Sequence, residues 1–230
     1  MASRIVFLPK FQDPWYEEKV VTFEWVPGMA KSQARKSINN LHEAAQAQLD
    51  LLKPLEISTK SNTDLGVSLS AFNLQLDVDT HFVSIESAYQ SSKIFKNGGP
   101  FRDILNLNSY DAKKDERLKN SGELIGFEFE GNEWNVTNSP NFYDYLYIKA
   151  LTDFEGKKLI QEFDCFTDIA FSQTSLKYKN NLSFNCQARS AAIYLGLLNN
   201  LDESKIVKKL YEVSQKNPEI IKSDQLTLDI

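Results

Sequence analysis

The order in which strand-like and helix-like patterns follow one another leaves few folds open to this 230-residue chain. Both kinds of pattern are present, but they do not alternate regularly, as the strand-helix-strand units of a doubly wound sheet require. The chain has no internal repeat and no low-complexity stretch. The order therefore predicts an α+β fold that is rich in helices and has a small β-sheet.

The first 54 residues are expected to form an N-terminal extension that packs on a main domain of residues 55–230. Partly alternating apolar residues predict strands in the extension, and apolar residues three and four positions apart predict an amphipathic helix that stops before Pro54. These elements are strands at 4–8 and 19–26 and a helix at 30–52. In the main domain we predict strands at 55–59 and 67–78, a turn at 62–66, a hairpin at 124–134 with its turn at 130–132, and helices at 142–154, 157–163, 188–199 and 205–215.

The segment from Ser84 to Lys96 has the start and stop signals of a helix at its two ends. Ser84 can accept a hydrogen bond from a free backbone N–H group of the first turn, and the Asn-Gly-Gly-Pro sequence after Lys96 ends a helix. One face of this helix would present Glu86, Tyr89, Gln90 and Lys93. The spacing brings an acid, an amide and an amine together, although a solvated face on which Lys93 pairs with Glu86 or Gln90 has the same spacing.

Composition and charge exclude several classes of protein. The net charge of -5 does not favour a protein that coats nucleic acid, although a few cations at one pocket suffice to bind a single modified nucleotide. The only cysteines, Cys165 and Cys186, and the only histidines, His42 and His81, lack the spacing of a zinc site. No apolar stretch is long enough to cross a membrane, and the N-terminus makes a poor signal peptide. We expect a soluble cytoplasmic protein that uses no metal and no cofactor.

A Glu-x-x-Tyr/Phe-Gln-x-x-Lys helix that follows a Ser-x-Phe strand resembles the signature of the NADAR family of YbiA-like N-glycosidases. The matching residues are Ser70 and Phe72 in the strand and Glu86, Tyr89, Gln90 and Lys93 in the helix. The resemblance covers about residues 55–198. Within it, residues 58–61 and Gly66 match a Ser/Thr-rich strand and turn, residues 163–171 resemble an acidic element that lines the pocket, and residues 185–192 resemble a final helix that closes it.

Three positions depart from the pattern common in this family. Ser87 replaces a histidine that often follows the glutamate, Phe82 replaces a tryptophan four residues before it, and Ala71 replaces the asparagine of the Ser-x-Phe strand. No histidine can therefore act beside Glu86. Together with the N-terminal extension, these differences resemble the branch of the family that is encoded beside DarT-type toxins.

The resemblance implies an N-glycosidase that removes ADP-ribose from guanine bases in DNA and so acts as an antitoxin to a DarT-type DNA ADP-ribosyltransferase. Its implied partners are the ADP-ribose moiety on guanine in DNA and the cognate toxin, with no membrane partner. Lys93 is the implied nucleophile, which attacks ribose C1 and forms a Schiff base, and Glu86 takes or delivers the proton. Asp168 would hold a ribose hydroxyl group or assist hydrolysis of the intermediate. Substrate-binding roles are expected for Ser61, Ser70, Phe72, Asn73, Tyr89, Gln90 and Arg189.

Structural roles remain open for several of these residues. Phe72 could be a core residue, Asp168 could cap a turn after Thr167, and Arg189 could form an ordinary ion pair rather than grip a pyrophosphate. Two other functions also fit the residues. One is a glycosidase of a small nucleotide or a riboflavin intermediate, and the other is a non-enzymatic module that binds ADP-ribose.

Overall fold

The computed structural model describes residues 1–51, 53–79, 81–171 and 186–215, apart from the side chains of residues 138–140. Its strands are β1 (Ala2–Pro9), β2 (Tyr16–Phe23), β3 (Pro54–Glu56), β4 (Gln75–Val78), β5 (His81–Ser84), β6 (Lys93–Phe95), β7 (Leu124–Phe129), β8 (Asn132–Asn135) and β9 (Cys165–Thr167). Its α-helices are α1 (Lys31–Leu49), α2 (Asp64–Ser68), α3 (Ile85–Ser91), α4 (Ser109–Lys114), α5 (Arg117–Asn120), α6 (Ser139–Asp153), α7 (Lys157–Ile160), α8 (Gln187–Leu198) and α9 (Glu203–Ser214), and 3-10 turns lie at Arg102–Asn106 and Val136–Asn138. The predicted α+β class is confirmed.

The described strands form three small sheets rather than the one that we expected. The largest has the order β2-β1-β9-β3, in which β1 runs antiparallel to both neighbours and β3 runs parallel to β9. Since β1 lies between β2 and β9, this sheet is continuous across residue 54, where we placed the boundary between extension and main domain. The division itself stays a prediction.

The sheet and helix α1 enclose a small apolar core, and a larger core lies on the other side. Helix α1 buries Ala34, Ile38, Leu41 and Ala45, three or four residues apart, against residues such as Val6 of β1. This is the amphipathic pattern predicted for residues 30–52. The larger core is built mainly from helices α3, α6 and α8 with strands β4 and β7.

The strand predicted at 67–78 is wrong over its first two thirds, residues 67–74. Thr63 caps helix α2 by accepting a hydrogen bond from the Gly66 backbone N–H at 3.1 Å, so the chain is helical to Ser68. A turn follows, in which the backbone N–H groups of Asn73 and Leu74 both donate to the Ser70 carbonyl at 2.8 Å. Only β4 is extended, so Ser70 and Phe72 lie in a turn and not on a strand.

The helix predicted from Ser84 to Lys96 begins where expected but ends early, at Ser91. The Ser84 hydroxyl accepts a hydrogen bond from the Ser87 N–H at 3.1 Å, as the cap predicted. Beyond Ser91 the chain pairs with β7, beginning with a bond from the Glu128 N–H to the Ser92 carbonyl at 2.8 Å. Lys93 is therefore the first residue of strand β6, because pairing with a distant strand outweighs local helical preference.

The turn predicted at 62–66 is wrong from Asp64 onward, where helix α2 begins. The other predicted elements of the described chain are found within a few residues of their expected ends. The hairpin of β7 and β8 turns at Glu130 and Gly131, which both have positive φ angles, of 49° and 74°. Glycine adopts such an angle at little cost, as the turn prediction assumed. Helix α7 ends at Ile160 rather than residue 163, and strands β5 and β9 and helices α4 and α5 were not predicted.

Candidate active site

One cavity of about 580 Å³ gathers most of the side chains that the sequence had singled out for chemistry. It lies where the end of β3, the turn after α2, the α3 to β6 segment and the end of β9 meet. The residues that line it are Ser58, Thr59, Lys60, Ser70, Ala71, Phe72, Glu86, Tyr89, Gln90, Lys93, Lys113, Tyr143, Asp168, Ile169, Ala170, Phe171 and Gln187.

Helix α3 supplies the acid and the amide of the site. Its backbone is anchored by a hydrogen bond from the Glu86 N–H to the Ala71 carbonyl at 2.9 Å. The Gln90 side chain donates from Nε2 to Glu86 Oε1 at 2.8 Å, while its own Oε1 is buried and has no hydrogen-bond partner among the described residues. A buried acceptor without a partner is costly unless a ligand donates to it.

Lys93 reaches the same cavity from strand β6. Its Nζ lies 4.9 Å from the centroid of the Tyr89 ring, and no carboxylate of the described residues lies within 4.0 Å of it. Burial lowers the pKa of the Lys93 amine to about 8, with the nearby charge of Glu86 opposing the effect and that of Lys113 adding to it. About a tenth of the molecules then carry a neutral amine at pH 7, which is the nucleophilic form.

Tyr89 serves the core and the site at once. Its ring packs against Phe127 and Tyr143, each with a centroid separation of 5.4 Å, and only 2% of the residue is exposed. The aromatic cluster packs α3 against the core and gives the cavity an apolar wall beside Lys93. This wall contributes to the burial that lowers the lysine pKa.

The opposite side of the cavity is formed by the end of β9 and the start of α8. Asp168 Oδ1 accepts a hydrogen bond from the Ala170 N–H at 3.0 Å, so the residue does cap a turn after Thr167, and its Oδ2 accepts from Gln187 Nε2 at 3.3 Å. Burial raises the pKa of the Asp168 carboxyl group above its usual range. Gln187 also donates to the Ile57 carbonyl at 2.6 Å and accepts from the Ala71 N–H at 2.8 Å, and so ties three parts of the site together.

Seven of the ten residues named from the sequence line this cavity: Ser70, Phe72, Glu86, Tyr89, Gln90, Lys93 and Asp168. Three do not. Asn73 donates to the Ser70 hydroxyl group at 3.0 Å from outside the cavity, and Ser61 is buried with its carbonyl accepting from Arg35 at 3.2 Å. Arg189 is buried and donates to Asp144 Oδ2 at 3.0 Å. The substrate-binding roles of these three stay predictions.

Sequence reasoning missed Gln187, Lys113 and Tyr143. Gln187 lies in the segment identified as the closing helix, but two helical residues apart point in directions that differ by about 200°, so Gln187 faces the cavity when Arg189 faces the core. Residue 185, which belongs to the same segment, lies outside the described residues. Lys113 lies on the unpredicted helix α4 with its Nζ 3.7 Å from Glu86 Oε1 and 5.0 Å from the Phe72 ring centroid. No local signal marked it.

The described residues offer no arrangement that resembles a metal centre, since no three of their His, Cys, Asp and Glu side chains converge suitably. None of the helices in the described part of the chain has the length and apolar character needed to cross a membrane. The groups gathered in the cavity are an amine of lowered pKa, two carboxyl groups and an unpartnered amide oxygen, all beside aromatic rings. Such a set can attack an electrophilic carbon and transfer protons around it.

Comparison with known proteins identifies the family of the chain. A curated protein of Acanthamoeba polyphaga mimivirus, Uncharacterized protein L138, is 26% identical over 190 residues. That match covers 76% of this chain but only 20% of the viral protein, so the chain spans about a fifth of the length of this relative. The family model for the DarT1-associated NADAR antitoxin matches residues 2–226, nearly the whole chain. The chain belongs to the DarT1-associated NADAR antitoxin family.

Proposed function

We propose that this protein is an N-glycosidase that removes ADP-ribose from guanine bases in DNA and thereby acts as an antitoxin to a DarT-type DNA ADP-ribosyltransferase. The observation that carries the proposal is the Lys93 amine of lowered pKa, which shares one cavity with Glu86, Gln90 and Asp168. Membership of a DarT1-associated antitoxin family supports the toxin context and the choice of substrate.

The residues of the cavity allow a balanced reaction. The neutral Lys93 amine attacks ribose C1 as the bond from C1 to the guanine nitrogen breaks, and the departing nitrogen takes a proton while the amine loses one. Glu86 carries that proton. The bond from C1 to the ring oxygen then opens to give an imine and a hydroxyl group. Water adds to the imine with Asp168 as base, and ADP-ribose leaves with regeneration of the amine.

The rim and wall of the cavity supply the binding groups. Lys113 and Lys60 line it, and the Lys113 side chain is 58% exposed, as a cation that meets a pyrophosphate should be. Gln90 Oε1 can accept a hydrogen bond from a ribose hydroxyl group or a base N–H group. Phe72, which is partly exposed at the cavity, offers an aromatic surface on which a base can stack.

The proposal is tested with an oligonucleotide that carries ADP-ribosyl-guanine, by following loss of the adduct. Lys93→Met should reduce turnover by a factor on the order of 1,000 or more, since nucleophiles contribute that much or more where they have been removed. Glu86→Gln should reduce it by about 100- to 10,000-fold, as loss of a proton carrier does. Borohydride should trap a covalent protein adduct in the wild type and not in Lys93→Met, because it reduces an imine to a stable amine.

Lys113→Met is the matched control, because both lysines line the cavity but only Lys93 is the proposed nucleophile. It should raise KM and leave borohydride trapping intact. The thermal unfolding temperature of Lys93→Met should be no lower than that of the wild type, because the substitution removes a desolvated amine. Adduct loss unaffected by Lys93→Met would refute the lysine mechanism. Binding of ADP-ribose without turnover would favour a binding module, and turnover of free nucleotides alone would favour a small-molecule glycosidase.

A further inference from the structure

Directly behind the candidate site, a buried chain of three hydrogen-bonding side chains connects three elements. Glu56 on β3 is 1% exposed, and Thr167 on β9 is fully buried. The Thr167 hydroxyl oxygen lies 2.6 Å from Glu56 Oε2. The Nε2 atom of His42, on helix α1, lies 2.9 Å from the same hydroxyl oxygen. None of these three side chains lines the cavity, and the proposed reaction does not use them.

The Glu56 carboxyl group forms hydrogen bonds with the residues on both sides of Asp168. Its Oε2 is bonded to Thr167, the residue before Asp168, and its Oε1 accepts from the Ile169 N–H, the residue after it, at 2.9 Å. The parallel pairing of Glu56 with Thr167 fixes the register of this contact. Asp168 is therefore held with its carboxyl group toward the cavity by a second carboxyl group from beneath.

We propose that Glu56 is a positioning residue for Asp168 that works as a neutral carboxyl group, and that the proton on Glu56 sets the direction of the whole Glu56, Thr167 and His42 chain. The contribution to turnover rests on the proposed function, because it acts through Asp168. The protonation state of the chain does not depend on it. His42 links the N-terminal helix to the site through this chain.

The charges around the chain favour the neutral state of Glu56. Burial raises the pKa of the Glu56 carboxyl group above its usual range, and the like charge of Asp168 raises it further. The hydrogen bonds of Glu56 with the Ile169 N–H and with the Thr167 and Ser58 hydroxyl groups lower the pKa, but by less than burial raises it. Burial also lowers the pKa of His42 to about 4, so the imidazole is neutral at pH 7 and does not neutralise a Glu56 anion. The other ionisable groups that act on Glu56 or on Asp168 are Arg4 on β1, Lys113 on α4, Tyr143 and Tyr147 on α6, and Cys186 before α8.

The hydrogen bonds that connect Glu56, Thr167 and His42 can run in either of two directions. The Thr167 hydroxyl group has one hydrogen, so it donates to only one of its two neighbours. If Glu56 is ionised, Thr167 donates to it and His42 must donate from Nε2. If Glu56 is protonated and donates to Thr167, Thr167 donates to His42 Nε2, and the ring hydrogen of His42 must lie on Nδ1. The Nδ1–H tautomer of His42 therefore reports a proton on Glu56.

The test is long-range nitrogen NMR of the ¹⁵N-histidine-labelled full chain, in which His42 and His81 are the only histidines. At neutral pH the wild type should show His42 as the neutral Nδ1–H tautomer, and alkaline pH should convert it to the Nε2–H tautomer as Glu56 ionises. Glu56→Gln should keep the Nδ1–H tautomer throughout, because the amide N–H group donates at every pH. Asp168→Asn should move the conversion to lower pH, because the like charge is gone. Exposed His81 is the internal control.

Turnover of the ADP-ribosylated oligonucleotide supplies a second readout. Glu56→Leu should reduce turnover about a hundredfold, as expected when a reacting group shifts by about 1 Å. Glu56→Gln should retain most of the wild-type turnover. A wild-type His42 in the Nε2–H or the charged form at neutral pH would overturn the proposal, as would equal turnover of Glu56→Leu and the wild type. If no substrate is turned over by the wild type, the proposed function fails while the tautomer measurement still decides the state of Glu56.

Discussion

Lys93 has the surroundings that a nucleophilic amine needs. It lies beside the Tyr89 ring and within the field of Glu86, but it forms no ion pair with a carboxylate of the described residues. The ion pair on this face is instead made by Lys113, whose Nζ lies 3.7 Å from Glu86 Oε1. Under the proposed function the two lysines have different roles, since an exposed cation can bind anions and a desolvated amine can react.

The pH dependence of the first step follows from the lowered pKa of Lys93. Because burial lowers the pKa of the Lys93 amine to about 8, the reactive neutral form is lost as pH falls below that value. Single-turnover rates should therefore fall about tenfold per pH unit below that value and level off above it. Multiple-turnover rates, which include hydrolysis of the imine, should fall further at acidic pH because Asp168, whose pKa is raised, loses its anion at a higher pH than an ordinary aspartate. A rate that is constant from neutral to alkaline pH would contradict the assignment of Lys93.

The buried ion pair of Arg189 with Asp144 gives a second prediction. It is buried against Asp144, whose other oxygen accepts from the Ser190 hydroxyl group at 2.6 Å, so removing the guanidinium leaves a buried uncompensated carboxylate. Arg189→Met should reduce the free energy of unfolding by about 3 to 5 kcal/mol, measured by urea denaturation. Arg102→Met, which breaks the more exposed pair with Glu128, is the matched control and should cost about 1 kcal/mol or less. A stable Arg189→Met protein with a raised KM would instead support a phosphate contact.

The short segment from α3 to β6 decides the geometry of the site at the level of elements. The helix ends because the Ser91 and Ser92 hydroxyl groups both donate to the Ala88 carbonyl and the chain then pairs with β7. Side chains on such a helix and strand need not share a face, yet Glu86, Gln90 and Lys93 all line one cavity. The prediction from helical spacing was therefore correct that these residues lie together, but wrong that all of them belong to one helix.

Gln187 at the start of α8 connects this segment to the remaining walls of the site. Gln187→Ala should reduce turnover by about 10- to 100-fold, because it frees the Ala71 turn and the Asp168 carboxylate that it positions. It should also lower the free energy of unfolding by about 1 to 3 kcal/mol, since the Ala71 N–H and the Ile57 carbonyl lose their partner. Gln75→Ala, which removes an exposed amide bonded to the Asn73 carbonyl, is the matched control and should change neither quantity. Equal behaviour of the two variants would show that Gln187 is dispensable.

At the scale of the whole molecule, the N-terminal residues belong to the framework that holds the site. Strand β1 pairs with β9, the strand that leads into Asp168, and helix α1 reaches the same strand through His42. The loop between β1 and β2 also packs closely on α8 at Gly196. A Cβ atom at that position would lie 2.3 Å from the Trp15 carbonyl oxygen and 2.5 Å from that of Lys10.

Gly196→Ala tests that contact, because helix propensity alone predicts a gain in stability and the close packing predicts a loss. An alanine in the middle of a free helix stabilises it by about 0.5 to 1 kcal/mol relative to glycine. Here the added methyl group meets backbone atoms that cannot rotate away, so the free energy of unfolding should fall by about 1 to 3 kcal/mol. Thermal and urea unfolding measure the change, and a more stable variant would show that the loop does not press on α8.

Elements whose signals are local could be predicted from the order of residues alone. The Ser84 cap, the Gly131 turn and the stripe of Ile38 and Leu41 depend on residues a few positions apart, and each was correctly predicted. The NADAR resemblance likewise came from side chains that can be named from their order alone. Three features could not be predicted in this way: helix α3 stops at Ser91, Lys113 and Gln187 face the cavity, and Glu56 lies buried beneath Asp168. Those outcomes depend on strand pairing and desolvation between residues that are far apart in the chain, and no pattern of neighbouring residues encodes them.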